Sequence, residues 1–385
     1  MKNIGKALGA LGFVLILGVA WLYQNGGLSK LTGHQQDTAQ VVAAPAVDTG
    51  TPVAQPAPVV TQANYKPDTD TLKSIINNGV VRISVENPSQ PFYDSENGST
   101  PHGFNVDFAK LLFADPAFTS SGKQIQIDTR HEVDTYAGVP RQLLTTATDG
   151  SHTVDIAMDG LTFADNTPSG VVYTIPYIDD FGYALIVRNG SAIHTAADLA
   201  GKRIGILKGD PDVRSYVSDQ FPDSTIVTVS DADSAFIQKS LDKSSSEPGA
   251  VDAFIYDYPF AVSAIKNTDL QFAVTKLDGS SLSYKIGVRA QDQSLLIYLN
   301  AAIAKVKASP AYLDLLRQYF ISNQATTRSA SGGERSYTVK SRDTLNLIAA
   351  SQLGNGNRYR EIQKRNNLPN PNLITVGQNL VIPAK

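Results

Sequence analysis

Residues 154–177, VDIAMDGLTFADNTPSGVVYTIPY, join an apolar run to a polar turn, a composition suited to holding a small ligand. Val154, Ile156 and Met158 alternate with Asp155 and Ala157, which reads as a short strand with side chains on opposite faces. Gly160 and Thr162 follow at its carboxyl end, where open α/β sheets place ligands. A second polar group, Lys208, Gly209, Asp210 and Asp212, stands where a strand gives way to a helix. Acids at a helix start stabilise its dipole, and here they would also repel an anion. Covalent chemistry finds little to work with. The chain has no cysteine, and His34, His102, His131, His152 and His194 show no metal-ligand spacing. With no Gly-x-Ser-x-Gly elbow either, the expectation is binding, with no catalytic residue, no metal and no cofactor.

The composition sets outer bounds. With 385 residues, 42% hydrophobic and 18% charged, the chain has material for two or three globular domains. A net charge of −3 and the lack of a basic cluster with interleaved aromatics argue against a nucleic-acid partner. Without cysteine there is neither a disulfide nor a lipid-modified amino-terminal Cys.

The elements that would position these residues follow in chain order. Residues 7–23 are apolar to weakly polar and are preceded by Lys2 and Lys6, the pattern of a signal anchor. Trp21 and Tyr23 carry the run past the candidate cleavage site at Ala20 and suit a membrane interface. The basic end stays in the cytoplasm, which sends the rest of the chain to the periplasm. Residues 32–66, with Pro45, Pro52, Pro56 and Pro58 and almost no charge, read as an extended tether. Beyond it, residues 72–78 read as a helix closed by Gly79, and residues 80–85 as the first strand. Residues 125–128 and 183–187 are further strands, the latter crossing into a second lobe. Leu295, Leu299, Ile303 and Val306 share one helix face, and Tyr312, Leu315, Leu316 and Tyr319 another.

Four stretches resemble the type II periplasmic solute-binding proteins, family 3, which mostly bind amino acids. Asp155-Ile156 with Gly160, Thr162 and Pro176-Tyr177 matches the pattern D-I-x-x-x-G-x-T … P-Y. Residues 103–109 (GFNVDFA), 198–206 (DLAGKRIGI) and 251–257 (VDAFIYD) match three more of its signatures. The resemblance implies a two-lobed α/β fold with a ligand between lobes that close by a hinge. It places Glu86, Asp159, Gly160 and Thr162 at the ligand, Phe92 at the pocket wall, and the Tyr136 ring against the ligand. Asp257 would pair with an α-amino group. An Arg five residues after Thr162 grips the ligand's carboxylate in that family, and here the position is Thr167. The acids Glu86, Asp159, Asp210 and Asp257 then face Lys208 as the one cation. Converging carboxylates need a cation or protons to neutralise them, so the expected ligand is cationic or amine-bearing, or the cleft is vestigial.

After a flexible joint at residues 325–335, residues 337–345 read as a strand turning into a helix capped by Asp343 or Thr344. Tyr-Thr-Val-Lys, Asp-Thr-Leu, Asn-Pro-Asn-Leu-Ile and Gly-Gln-x-Leu-x-Ile-Pro follow in order. This is similar to a LysM domain, a βααβ unit that binds N-acetylglucosamine-containing glycans such as peptidoglycan. The resemblance implies a glycan groove between Asp343, Thr344 and Leu345 on one loop and Asn370, Pro371, Asn372, Leu373 and Ile374 on the other.

The domain expectation is an anchor at 1–31, a linker at 32–66, a solute-binding-like domain at 67–325, a linker at 326–335 and LysM at 336–385. Lobe 1 would take about 67–180 and 279–325, and lobe 2 about 181–278. The functional expectation is a periplasmic capture or sensing protein held by the inner membrane and the wall, with a transporter or receptor as partner. The alternative is an envelope scaffold with a vestigial cleft.

Overall fold

The computed structural model describes residues 71–95, 99–162, 167–230, 235–321 and 330–384, all within one compact unit, Pro56–Lys385. The expected anchor at 7–23, the tether at 32–66 and residues 325–329 of the joint lie outside the described residues. Among the described residues no helix is long and apolar enough to cross a membrane.

Helix α1 (Thr71–Asn78) buries Leu72 and Ile75, and Gly79 at φ 71 turns the chain into strand β1 (Val80–Glu86). Gly103, at φ 126, opens α2 (Phe104–Phe113) against the Phe92 carbonyl, which an added Cβ would approach to 2.3 Å. Only glycine fits there. Phe104, Phe108 and Leu112 are buried, as their helical spacing predicts. Strand β2 (Gln126–Val133) is longer than the four residues expected from alternation, because it pairs in parallel along β1.

After the short helix α3 (Gly138–Gln142) comes β3 (Ile156–Ala157), followed by β4 (Val171–Tyr173). The short strand expected across residues 154–158 narrows to Ile156–Ala157, and all five residues are buried. Strand β3 lies at the centre of its sheet, so both faces are covered and Asp155 is 2% exposed. Asp155 accepts from Arg82 Nη2 at 2.7 Å and from the Arg82 backbone N–H at 2.8 Å.

Strands β5 (Ile178–Phe181) and β6 (Tyr183–Arg188) take the chain to a second sheet. There β7 (Arg203–Leu207), α4 (Pro211–Gln220), β8 (Thr225–Val229), α5 (Phe236–Asp242), β9 (Ala253–Asp257), α6 (Tyr258–Ala264) and β10 (Leu270–Val274) follow. Strand β11 (Leu282–Tyr284) brings the chain back to β12 (Gly287–Arg289). The sheets run β2-β1-β3-β12-β4 and β10-β6-β9-β7-β8. Strands β5 and β11 pair with each other, Leu282 opposite Phe181, and form the two crossings between the sheets. Helices α7 (Gln293–Lys307) and α8 (Pro310–Phe320) bury Leu295, Leu299, Ile303, Leu315 and Leu316 in the main core. Phe320 fills the buried place expected for Tyr319, whose hydroxyl instead donates to Asp107 at 2.7 Å.

The carboxyl-terminal module has the order β13 (Arg335–Thr338), α9 (Leu345–Leu353), α10 (Tyr359–Arg365) and β14 (Asn379–Ile382). The two strands pair antiparallel, and Leu345, Ile348, Ile362, Leu380 and Ile382 form a separate small core.

Candidate functional site

A cavity of about 300 Å³ opens between the carboxyl ends of strands from both sheets. Glu86 ends β1, and Gly160, Leu161 and Thr162 follow β3. Lys208, Gly209 and Asp210 follow β7, and Asp257 ends β9. Strand ends leave backbone and side chains unpaired by the ladder, which makes them the natural rim of a ligand site. Tyr136, from the segment between β2 and α3, accepts the Thr162 N–H at 3.1 Å and donates to the Gly160 carbonyl at 3.4 Å. Tyr136 thus fixes this loop and also lines the cavity.

Gly160 sits at φ 53, and an added Cβ would come within 2.8 Å of the Phe260 ring. Phe260 therefore sets the Cε2–Cζ side of its ring against a glycine and forms part of the wall. Phe92 is fully buried, 4.6 Å between centroids from Phe260, and stands behind that wall, not on it. Asp159 is also fully buried and does not line the cavity. Ser89 donates to one of its oxygens. Desolvation, with the adjacent Glu86 carboxylate adding to it, pushes its carboxyl well above the usual range.

Asp257 is the most perturbed acid on the cavity wall. Desolvation first, then the charges of Asp210 and Asp212, push its carboxyl up to about 7, against the Tyr284 hydroxyl, which donates to it at 2.6 Å. Asp210 caps α4 by accepting the Val213 N–H at 3.0 Å, and burial raises its carboxyl too. Among the described residues lining the cavity, Glu86, Asp210, Asp212 and Asp257 face one basic side chain, Lys208. Thr167 lines the same space. The cavity is thus short of positive charge and rich in acceptors.

Sequence reasoning missed Tyr256 and Phe260, which stand on the wall beside Asp257. The signal was in the sequence: Phe260 lies three residues after Asp257, at the start of a helix, and so shares its face. Tyr183 and Leu282, beside the crossings, also line the cavity and carried no such local signal.

In the carboxyl-terminal module, Thr344 caps α9 by accepting the Leu347 N–H at 3.2 Å, and Leu345 belongs to the small core. Asp343 accepts from the Tyr337 hydroxyl at 2.8 Å and the Lys340 N–H at 2.7 Å. Asn370, Leu373 and Ile374 are buried, Pro371 is half-buried and Asn372 is exposed. Among the described residues, no group of three or more His, Cys, Asp or Glu could hold a metal ion.

Residues 81–322 match the bacterial extracellular solute-binding proteins, family 3, and residues 337–383 match the LysM domain. The ABC transporter arginine-binding protein 1 of Escherichia coli (strain K12) is 28% identical over 62% of this chain and 90% of its own length. The membrane-bound lytic murein transglycosylase F of Pseudomonas fluorescens (strain Pf0-1) is 24% identical over 65% of this chain, but over only 48% of that enzyme. Among solved structures, an ancestral cationic amino acid solute-binding protein shares the fold at a TM-score of 0.50 and 21% identity. It covers 66% of this chain and 100% of that one. The matched segment takes in both five-stranded sheets and the cavity between them, and the chain belongs to the bacterial extracellular solute-binding proteins, family 3, with a LysM domain at its carboxyl end.

Proposed function

We propose that this protein captures a small amine-bearing ligand between its two sheets in the periplasm, held at the inner membrane by residues 1–31 and at peptidoglycan by LysM. The observation that carries the ligand class is Asp257, desolvated, held near neutrality and surrounded by further carboxylates. An ammonium or guanidinium placed there removes the repulsion among the acids, whereas a carboxylate would add to it. The similarity to an arginine-binding protein supports the same class. Thr167, at the position where the resemblance calls for an Arg, leaves the grip on a ligand's carboxylate to Lys208 and backbone donors, so simple amines compete with amino acids. The action is capture and release by a shift between open and closed states, with no covalent step.

The test is thermal unfolding with L-arginine, L-lysine, putrescine and L-glutamate. A ligand at a hundred times its Kd stabilises by about 2.7 kcal/mol, a shift of a few degrees for a domain of this size. Stabilisation by the cationic compounds, lost in Asp257→Ala, is the expected result. Flat curves with every compound favour a second reading, an envelope scaffold whose cleft holds no solute. Thr167 in place of the carboxylate-gripping Arg is the observation that speaks for it.

A further inference from the structure

The segment joining α10 to β14 lies against β5 and against the loop that leads from β10 to β11. On the outgoing crossing, Asn370 Nδ2 donates to the Asp179 carbonyl at 3.0 Å, and Asn372 Nδ2 to the Asp180 carboxylate at 3.2 Å. On the return side, Asn367 Oδ1 accepts the Thr275 N–H at 2.8 Å, and the Asn367 carbonyl accepts the Thr275 hydroxyl at 2.7 Å. Lys364 forms an ion pair with Asp278 nearby. Leu373 is buried in the main core of the solute-binding module, while the core of its own module is a separate cluster. The LysM module therefore holds the outgoing crossing and the loop that feeds the return one.

Those crossings are the parts that must change when two sheets close on a ligand, since a few residues between domains absorb the rotation. Asp180 has φ 67, a left-handed conformation that a non-glycine residue adopts at some cost, and Asn372 holds its side chain. The contact thus bears directly on β5 at its most constrained residue.

Three of the residues that dock, Asn370, Asn372 and Leu373, are among those that the LysM resemblance assigns to glycan. When docked, Asn370 is 1% exposed and Leu373 4%, and the amides of Asn370 and Asn372 are spent on β5. A glycan chain cannot reach Asn370 or Leu373 in this arrangement. We infer that the LysM module is a latch: its glycan-facing loop closes on the hinge, so that docking and wall binding exclude one another and engagement of the wall frees the hinge. The inference rests on LysM binding glycan, as proposed above. Its apparent affinity for glycan is then the intrinsic one multiplied by the undocked fraction, and any shift of the hinge that weakens docking strengthens wall binding. The coupling is reciprocal, so glycan in turn changes how readily the cleft closes.

The absence of cysteine makes the test direct. Thr275→Cys with Asn367→Cys introduces one pair across the docked interface, and the full chain carrying it is mixed with insoluble peptidoglycan under oxidising and reducing conditions. The reduced protein is expected to sediment with the wall, and the oxidised protein at least about tenfold less. Lys364→Glu, outside the glycan-assigned residues, sets like charges against Asp278 and is expected to raise retention about two- to fivefold. Equal retention of the oxidised and reduced protein overturns the latch while leaving the glycan reading in place; unchanged retention of Lys364→Glu does so where the pair fails to oxidise. Tighter retention of the oxidised form also overturns it, in favour of a joint glycan site over the 480 Å³ cavity that Asn370 and Asn372 share with Asp179, Asp180 and Lys307. If the wild-type protein is not retained either, the glycan reading falls and the latch with it.

Discussion

Asp257, held at about 7, is half protonated in a neutral medium, and a cationic ligand must find it as a carboxylate. Below pH 7 the bound ligand displaces a proton, so affinity for L-arginine is expected to weaken by up to about tenfold per pH unit, and to level off above 7. The stability of the ligand-free protein runs the other way. An acid whose folded pKa is raised binds more protons folded than unfolded between its ordinary value and 7, so stability contributed by that proton is lost as pH rises through this window. Calorimetric titration across pH 5.5–8.5, beside melting curves of the free protein, checks both signs; an affinity independent of pH would remove Asp257 from the ligand. The Asp257→Asn variant keeps the hydrogen bond from Tyr284 but cannot charge, and is expected to flatten the profile and weaken L-arginine by about 2 kcal/mol or more. Gly160 tests the wall. With φ 53 and Phe260 at 2.8 Å from an added Cβ, Gly160→Ala is expected to cost about 1–3 kcal/mol of stability and to push Phe260 into the cavity. Urea unfolding measures the first effect and L-arginine binding the second.

Among the elements, β1 and β3 are held together by more than their ladder, because Asp155 receives both the guanidinium and the backbone N–H of Arg82. Removing one partner of such a pair leaves the other uncompensated. Asp155→Ala is expected to destabilise the protein by about 3 kcal/mol, seen as a lower urea midpoint at unchanged slope. Asp155 also marks what alternation leaves open. Val154 to Met158 read as a strand with side chains on opposite faces, and a strand with neighbours on both sides buries Asp155 nearly as thoroughly as Ile156. Elsewhere local signals sufficed. Gly79 and Gly103 marked a helix end and a helix start, and the apolar run at 183–187 became a strand because continuous hydrophobicity suits a position with neighbours on both sides. The cleft acids were legible in part: Glu86, Asp210 and Asp257 end up together because each follows the carboxyl end of a strand. Phe92 and Asp159 sit one layer behind, a distinction of depth that spacing along a chain does not encode.

At the scale of the whole molecule, the contact between the LysM module and the hinge had no sequence signal. It joins residues such as Thr275 and Asn367, 92 positions apart, through polar groups that read equally well as loop surface. Its energetic weight rests on Leu373. That side chain is 4% exposed and packs in the main core, while Leu345, Ile348, Ile362 and Ile382 give LysM a core that does not include it. A charge at 373 should therefore separate the two modules without unfolding either. Leu373→Asp is expected to turn one coupled heat-capacity transition into two, with the solute-binding module melting a few degrees lower for the loss of about 2–3 kcal/mol of burial. The LysM transition should survive at a temperature set by its own core and capping residues, Thr344 and Gly354. A single transition, unshifted, would mean that the docked arrangement contributes nothing to stability in solution. A single transition at much lower temperature would mean that LysM has no fold apart from the module it rests on.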